Sequence, residues 1–251
     1  MRETERPVVT FDLFSALVDS RTGASASFGA LGARRGWSAT GTRVYDEWDR
    51  RNKAAQRAVT EWVPFVDLAR DALAETYDAL GLSGDAGADV EAVYAAVGDW
   101  PLWPDVAESL PRLSEEHRIG LLSNVDDVVF ARTRAAAYVD PELAMTSQRL
   151  GYYKPDPRIY LSAEVAVGPI VHVATSARDV RGALEAGIAV VRLRRPGHQL
   201  DPEGPAPVYE VTRLVDLPEQ VARARVAREA EGTGPGAGAP AGPGPGTGAG
   251  P

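Results

Sequence analysis

The run Pro7-Val8-Val9-Thr10-Phe11-Asp12 decides the fold. It is short, β-rich and apolar, so it reads as a buried strand, and it ends on an acid. From Arg21 to Asp99 the periodicity is helical. Val66, Ala69, Leu73, Tyr77 and Leu80 recur at helical spacing, as do Val44, Trp48, Ala55 and Val59 before them. Pro64, Gly81 and Gly84 punctuate these segments. All five tryptophans fall between Trp37 and Trp103, which gives this stretch an aromatic core or an interface, and a homodimer contact is one use for it.

After Pro104 the rhythm changes. Helices are expected over 105–116, 126–137, 156–165, 178–186 and 218–227, and strands over 118–123, 144–147, 170–174, 188–193 and 208–211. Strands alternating with helices specify a mainly parallel sheet covered on both faces, that is, a doubly wound, Rossmann-like α/β core. The first strand joins that core. The expected division is residues 1–18 plus 104–228 for the core, 19–103 for an inserted all-helical cap, and 229–251 for a Gly/Pro/Ala tail that cannot bury apolar surface.

Composition narrows the function. The chain has 251 residues, 44% apolar and 25% charged, enough for a sizeable core. A net charge of -8 argues against nucleic acid as a partner, because phosphate binding needs a basic surface. With no cysteine, thiolate nucleophiles and zinc–cysteine sites are excluded. No apolar run is long enough to span a bilayer, and Met1 to Pro7 holds no apolar leader, so no membrane partner and a cytoplasmic location are expected.

Open α/β sheets carry their sites beyond the carboxyl ends of their strands. Asp12 stands there after the first strand, Ser123 and Asn124 after the second, Lys154 in the loop after the third, and Asp179 in the helix after the fourth. Each alone is an ordinary turn, cap or loop residue. Four together, at four successive strand ends, point to a site.

These residues carry a family resemblance. Asp12-Leu-Phe-Ser-Ala-Leu-Val-Asp19 resembles the first motif of the haloacid dehalogenase superfamily, and Leu121-Leu-Ser-Asn124 its second. Tyr153-Lys-Pro-Asp-Pro-Arg-Ile-Tyr160 is similar to the third motif of the type II 2-haloacid dehalogenases, and Val173-Ala-Thr-Ser-Ala-Arg-Asp-Val-Arg-Gly-Ala183 to the fourth. The helical insert lies where that family has its cap. The resemblance implies a hydrolase in which Asp12 forms a covalent ester with a small, anionic substrate. Lys154 would keep Asp12 ionised, Ser123 would hydrogen-bond the reacting group or the nucleophile, and Asp179 would orient Lys154 or water, or bind a metal. Phe14, Asn124, Tyr160 and Ser176 would contact substrate. Arg51, at a gap in the stripe of Trp48, is either a solvated edge residue or the substrate's anion anchor.

The branch is read from Phe14. The superfamily's phosphatases have an acid there to protonate a departing alkoxide; phenylalanine supplies no proton, and a halide needs none. In the fourth motif Ala174-Thr175-Ser176 leaves Asp179 as the lone acid, where phosphatases have two for magnesium. A cofactor-free, 2-haloacid dehalogenase-like hydrolase is therefore expected. A magnesium-dependent phosphoester or phosphonate hydrolase using Asp12 and Asp179, and a degenerate binding or regulatory protein, are the alternatives. Ser15-Ala16 replaces the family's Gly-Thr and loses the threonine hydroxyl that supports the nucleophile.

Overall fold

The computed structural model describes residues 6–232. Six parallel strands form one sheet in the order β3-β2-β1-β4-β5-β6. They are β1 (Val8–Phe11), β2 (Arg118–Ser123), β3 (Ala144–Thr146), β4 (Ile170–Ala174), β5 (Ala189–Leu193) and β6 (Tyr209–Val211). Helices follow five of the six strands, with β5 joined to β6 by a loop, and this gives the expected α/β fold. All four residues of β1 are buried, because helices cover both faces of a parallel sheet. From β1 the chain builds β2 and β3 outward on one side, then returns to place β4 on the other. Connections leaving β1 in opposite directions open a crevice at its carboxyl end.

Phe11 is followed by Asp12 and a single π-helical turn, Leu13–Leu17, a rare geometry that recurs at functional sites. Four helices then form a layer above the crevice: α1 (Ser20–Arg35), α2 (Gly41–Ala58), α3 (Phe65–Leu80) and α4 (Ala86–Ala95). Asp19 caps α1 through the Thr22 amide, and Thr40 caps α2 through the Arg43 amide. Two strands of chain join this layer to the sheet. They meet in an antiparallel bridge between Val18 and Leu102, with the Asp19 amide donating to the Pro101 carbonyl at 2.9 Å and the Trp103 amide to Leu17 at 3.0 Å. The insert's aromatics pack on one another. Trp48 meets Phe28, Tyr45 and Tyr94, and Phe14 of the π turn joins through Phe65 and Trp100. None of the five tryptophans is exposed.

The core continues with α5 (Val106–Leu113), α6 (Asp127–Arg132), α7 (Ser147–Leu150), α8 (Pro157–Val167), α9 (Ala177–Glu185) and α10 (Leu217–Gly232). The expected helix over 126–137 is instead α6 followed by a 3-10 turn at Arg134–Tyr138. The last helix runs past residue 228 to Gly232, carried by the buried face of Leu217, Val221 and Ala224. The tail reading for residues 233–251 lies outside the described residues. Gly182 lets α9 press onto the loop after β3: a Cβ there would stand 2.7 Å from Pro155 and 2.9 Å from the Tyr160 hydroxyl. None of the described helices is long and apolar enough to cross a membrane.

Arg195 lies just beyond the end of β5. It is buried and clamps the joint between the two layers. Its guanidinium donates to the Ala16 carbonyl at 3.1 and 3.3 Å, pairs with Asp105 at 2.8 Å, and lies over the Trp103 ring. Arg195→Ala removes the cation from a largely desolvated pair, leaving Asp105 with the Leu214 amide and no counter-charge and the Ala16 carbonyl without its donor. We expect a loss of about 3 kcal/mol, near the low end for breaking such pairs. That lowers the melting temperature by roughly 5 °C or more in a chain of this size. Unchanged thermal unfolding would show that the clamp contributes nothing.

Candidate active site

Three strand ends bring Asp12, Ser123 and Asp179 around one lysine. Lys154 is 2% exposed, and its ammonium uses all three hydrogens. It donates to Asp12 Oδ1 at 2.9 Å, Asp179 Oδ2 at 2.6 Å and the Leu122 carbonyl at 2.8 Å. Ser123 donates to Asp12 Oδ1 at 3.0 Å. The local sequence explains the placement. Asn124 accepts from the Lys154 amide at 2.7 Å and donates back to its carbonyl at 3.0 Å, stapling the loop of Lys154 to the end of β2. The Lys154–Pro155 peptide is cis.

Asp12 has a third donor that the sequence reading did not supply. Ser15 Oγ donates to Asp12 Oδ2 at 2.5 Å. The hydroxyl lost at Ala16 is thus replaced by one a residue earlier, because the π turn swings Ser15 back over the carboxylate. Burial pushes the Asp12 carboxyl up, but Lys154 and Ser15 outweigh it, and the group titrates below its usual range. Asp179 follows the same pattern. Burial raises it, Lys154 and His172 lower it further, and the net direction is down.

Asp179 is the most heavily engaged group. Besides Lys154 it accepts from the Tyr160 hydroxyl at 2.8 Å, and His172 Nε2 lies 3.2 Å from both its oxygens. Thr10 Oγ1 stands 2.9 Å from His172 Nδ1. His172 and Thr10 are fully buried in the sheet beneath the site. A histidine inside an apolar strand run was the only sequence signal for this support.

A cleft opens above Asp12 between the sheet edge and α2. Phe14, Ser123, Asn124, Lys154 and Ser176 line it, and so do Asp12 and Asp179. Two expected contact residues lie elsewhere. Tyr160 is fully buried behind Asp179 and touches the carboxylate from the side away from the cleft, because the inward face of α8 packs into the core. Arg51 points off the cleft: its guanidinium is held by Glu47 at 2.7 Å and Glu75 at 2.8 Å, carboxylates one turn away and on α3. The stripe on α2 also differs from the expected one. Val44 and Trp48 are buried, but Ala55 and Val59 only partly. The buried face continues at four-residue steps through Asn52 and Gln56, polar residues on an otherwise apolar face. That was the legible sign of a pocket wall. The arginine lining the cleft is instead Arg178, between Ser176 and Asp179.

A magnesium ion is the group the superfamily suggests here, and the donor set does not fit it. Magnesium needs several oxygen ligands in octahedral array. Both Asp179 oxygens face Lys154, Tyr160 and His172, and the Lys154 ammonium already sits between the two carboxylates. Among the described residues, no cluster of three or more acids or histidines is arranged to hold a metal.

The fold and this set of side chains define a class: an α/β protein with a helical cap and a buried Asp–Lys–Asp centre. Known structures share the fold. A defluorinating L-2-haloacid dehalogenase superposes with a TM-score of 0.74 at 25% identity, over 88% of this chain and 98% of that one. The L-2-haloacid dehalogenase of Xanthobacter autotrophicus, solved with chloropropionic acid covalently bound, gives 0.73 at 21% identity over 86% and 98%. In sequence, (S)-2-haloacid dehalogenase 4A of Burkholderia cepacia is 33% identical over 122 residues. That match spans 46% of this chain and about half, 53%, of that relative. No family model matches the chain. The chain is thus similar in fold to the L-2-haloacid dehalogenases, and in sequence, over 46% of its length, to one (S)-2-haloacid dehalogenase.

Proposed function

We propose that the protein hydrolyses the carbon–halogen bond of a small 2-haloacid through an ester on Asp12. The observation that carries the reading is the ionised, triply hydrogen-bonded Asp12 in a cleft whose neighbouring wall is Phe14, not an acid. An Asp12 oxygen attacks the carbon bearing the halogen. The carbon–oxygen bond forms as the carbon–halogen bond breaks, and the electron pair leaves on the halide, which needs no proton. Water then adds to the acyl carbon of the ester, returning the Asp12 carboxylate and releasing the 2-hydroxy acid and one proton. Lys154 holds Asp12 charged and offsets the second carboxylate, and Asp179 fixes Lys154 in place. Ser123 and Ser15 orient the nucleophile. The names of the relatives support the same substrate class.

The saturated Asp179 speaks against the magnesium phosphohydrolase reading, and the assembled centre speaks against a degenerate binding protein. The test is chloride release from 2-chloropropionate with EDTA present. We expect turnover at the same rate with and without EDTA. Release that EDTA abolishes and magnesium restores would overturn the reading, as would no release from any short 2-haloacid.

A further inference from the structure

Arg178 is the cation in the cleft without a carboxylate. It stands half-buried at the start of α9, on the wall shared with Asp12. A guanidinium has five N–H donors. The structure assigns two of them, both to neutral oxygens: Gln56 Oε1 at 2.8 Å and the Lys53 carbonyl at 3.4 Å. It forms no ion pair among the described residues, whereas Arg192 and Arg195, the more deeply buried arginines, pair with Glu210 and Asp105. A desolvated cation is costly unless an anion meets it. The cleft's other cations are neutralised locally, Lys154 by Asp12 and Asp179, and Lys53 by Asp49.

The remainder of the wall says what accompanies the anion. Phe14, Phe65, Tyr94 and Trp100 make an aromatic pole. The Tyr94 hydroxyl, also buried, lacks a hydrogen-bond partner. A ligand that satisfies both poles has one carboxylate and a short apolar body.

We propose that Arg178 is the anion anchor of this cleft: it receives the substrate's carboxylate and sets a preference for haloacids over neutral haloalkanes or amides. Gln56 Oε1, which also accepts from Asn124 at 2.9 Å, keeps the guanidinium aimed until the ligand arrives. The anchor sits on the sheet layer beside the nucleophile, so the acid is oriented by the same element that carries Asp179. The proposal takes its reaction from the dehalogenase reading, but anion binding is measurable without any reaction.

The probe is propionate, an unreactive short carboxylate, followed by the tryptophan fluorescence of Trp48 and Trp100 in the cleft wall. Charge-assisted hydrogen bonds of this kind carry roughly a tenfold to hundredfold change in affinity. Propionate is expected to bind the unaltered protein, to bind Arg178→Gln weaker by that factor, and to bind Arg178→Lys in between. Gln56→Glu is the second variant. It places a carboxylate on the guanidinium without removing it, so it should weaken propionate to a similar degree even if Arg178→Gln folds poorly. Propionamide should bind all four proteins alike. Propionate affinity that is the same in Arg178→Gln and Gln56→Glu as in the unaltered protein overturns the proposal, and so does a protein that binds no short carboxylate. Chloride release from 2-chloropropionate separates the two readings. If release proceeds and its KM is unmoved in Arg178→Gln, the anchor falls and the dehalogenase stands. If no haloacid reacts but propionate binding follows Arg178, the dehalogenase reading falls and the anchor stands.

Discussion

Lys154→Met is expected to lose both activity and stability, the stability loss being the largest of any single change in the site. Methionine preserves the length and apolar body of the side chain but leaves Asp12 and Asp179 facing each other, buried, with no cation between them. Removing one partner of a buried charge network costs about 3–5 kcal/mol. The sign of its pH dependence distinguishes this from a packing defect. In the unaltered protein both carboxyls titrate below their usual value. Their contribution to stability is therefore fully present above the ordinary carboxyl pKa of about 4 and is lost as the pH falls through the depressed values. Without the lysine, burial and mutual repulsion act unopposed, and the pair holds a proton into the weakly acidic range. The deficit should then be largest at neutral pH and shrink on acidification towards pH 5. Halide release should fall on the order of a thousandfold or more at pH 7, because the nucleophile is partly protonated and no longer aimed. Urea unfolding at pH 7 and pH 5 reads the first effect and chloride release the second. Equal stability at pH 7, or activity within tenfold of the unaltered protein, would contradict the arrangement described.

Asp12→Asn is expected to abolish turnover while sparing the fold. The amide matches the carboxylate in size, and Lys154 keeps Asp179 and the Leu122 carbonyl. An amide oxygen has little nucleophilic power, so the loss should be at least about 10^4-fold. Oxygen-18 water tests the chemistry directly. In the covalent route water adds to the acyl carbon, so the peptide containing Asp12 gains the label during turnover of 2-chloropropionate. Direct attack of water on the substrate would leave that peptide unlabelled and put the oxygen in the 2-hydroxy acid from the first turnover. Unlabelled Asp12 in an active protein would remove it from the role of nucleophile.

How much of this was legible beforehand follows the range of the forces involved. The strand Val8–Phe11, its acid, and the alternation after Pro104 are local patterns, and local patterning was enough for a parallel α/β sheet with a helical insert. It also sufficed to put Asp12, Ser123, Lys154 and Asp179 at strand ends, since a parallel sheet brings all its carboxyl ends to one edge. What periodicity did not reach were side-chain partners separated by long stretches of chain. Arg51 on the helix face reads as either a solvated edge residue or an anchor, and Glu75, 24 residues away on the next helix, holds it off the cleft. Tyr160 reads as a contact residue until α8 turns it to the rear of Asp179. Ser15, three residues from Asp12, becomes its donor only because the chain takes a π turn there. Arg178 and Gln56, 122 residues apart, share a hydrogen bond that only the docking of α2 over the sheet edge creates. The sequence by itself determined the sheet, the insert and the four chemical groups, because hydrophobic period and strand-end placement are properties of short segments. The tertiary structure alone decided which cation in the cleft stays without a carboxylate, because that depends on every charge the fold brings within reach.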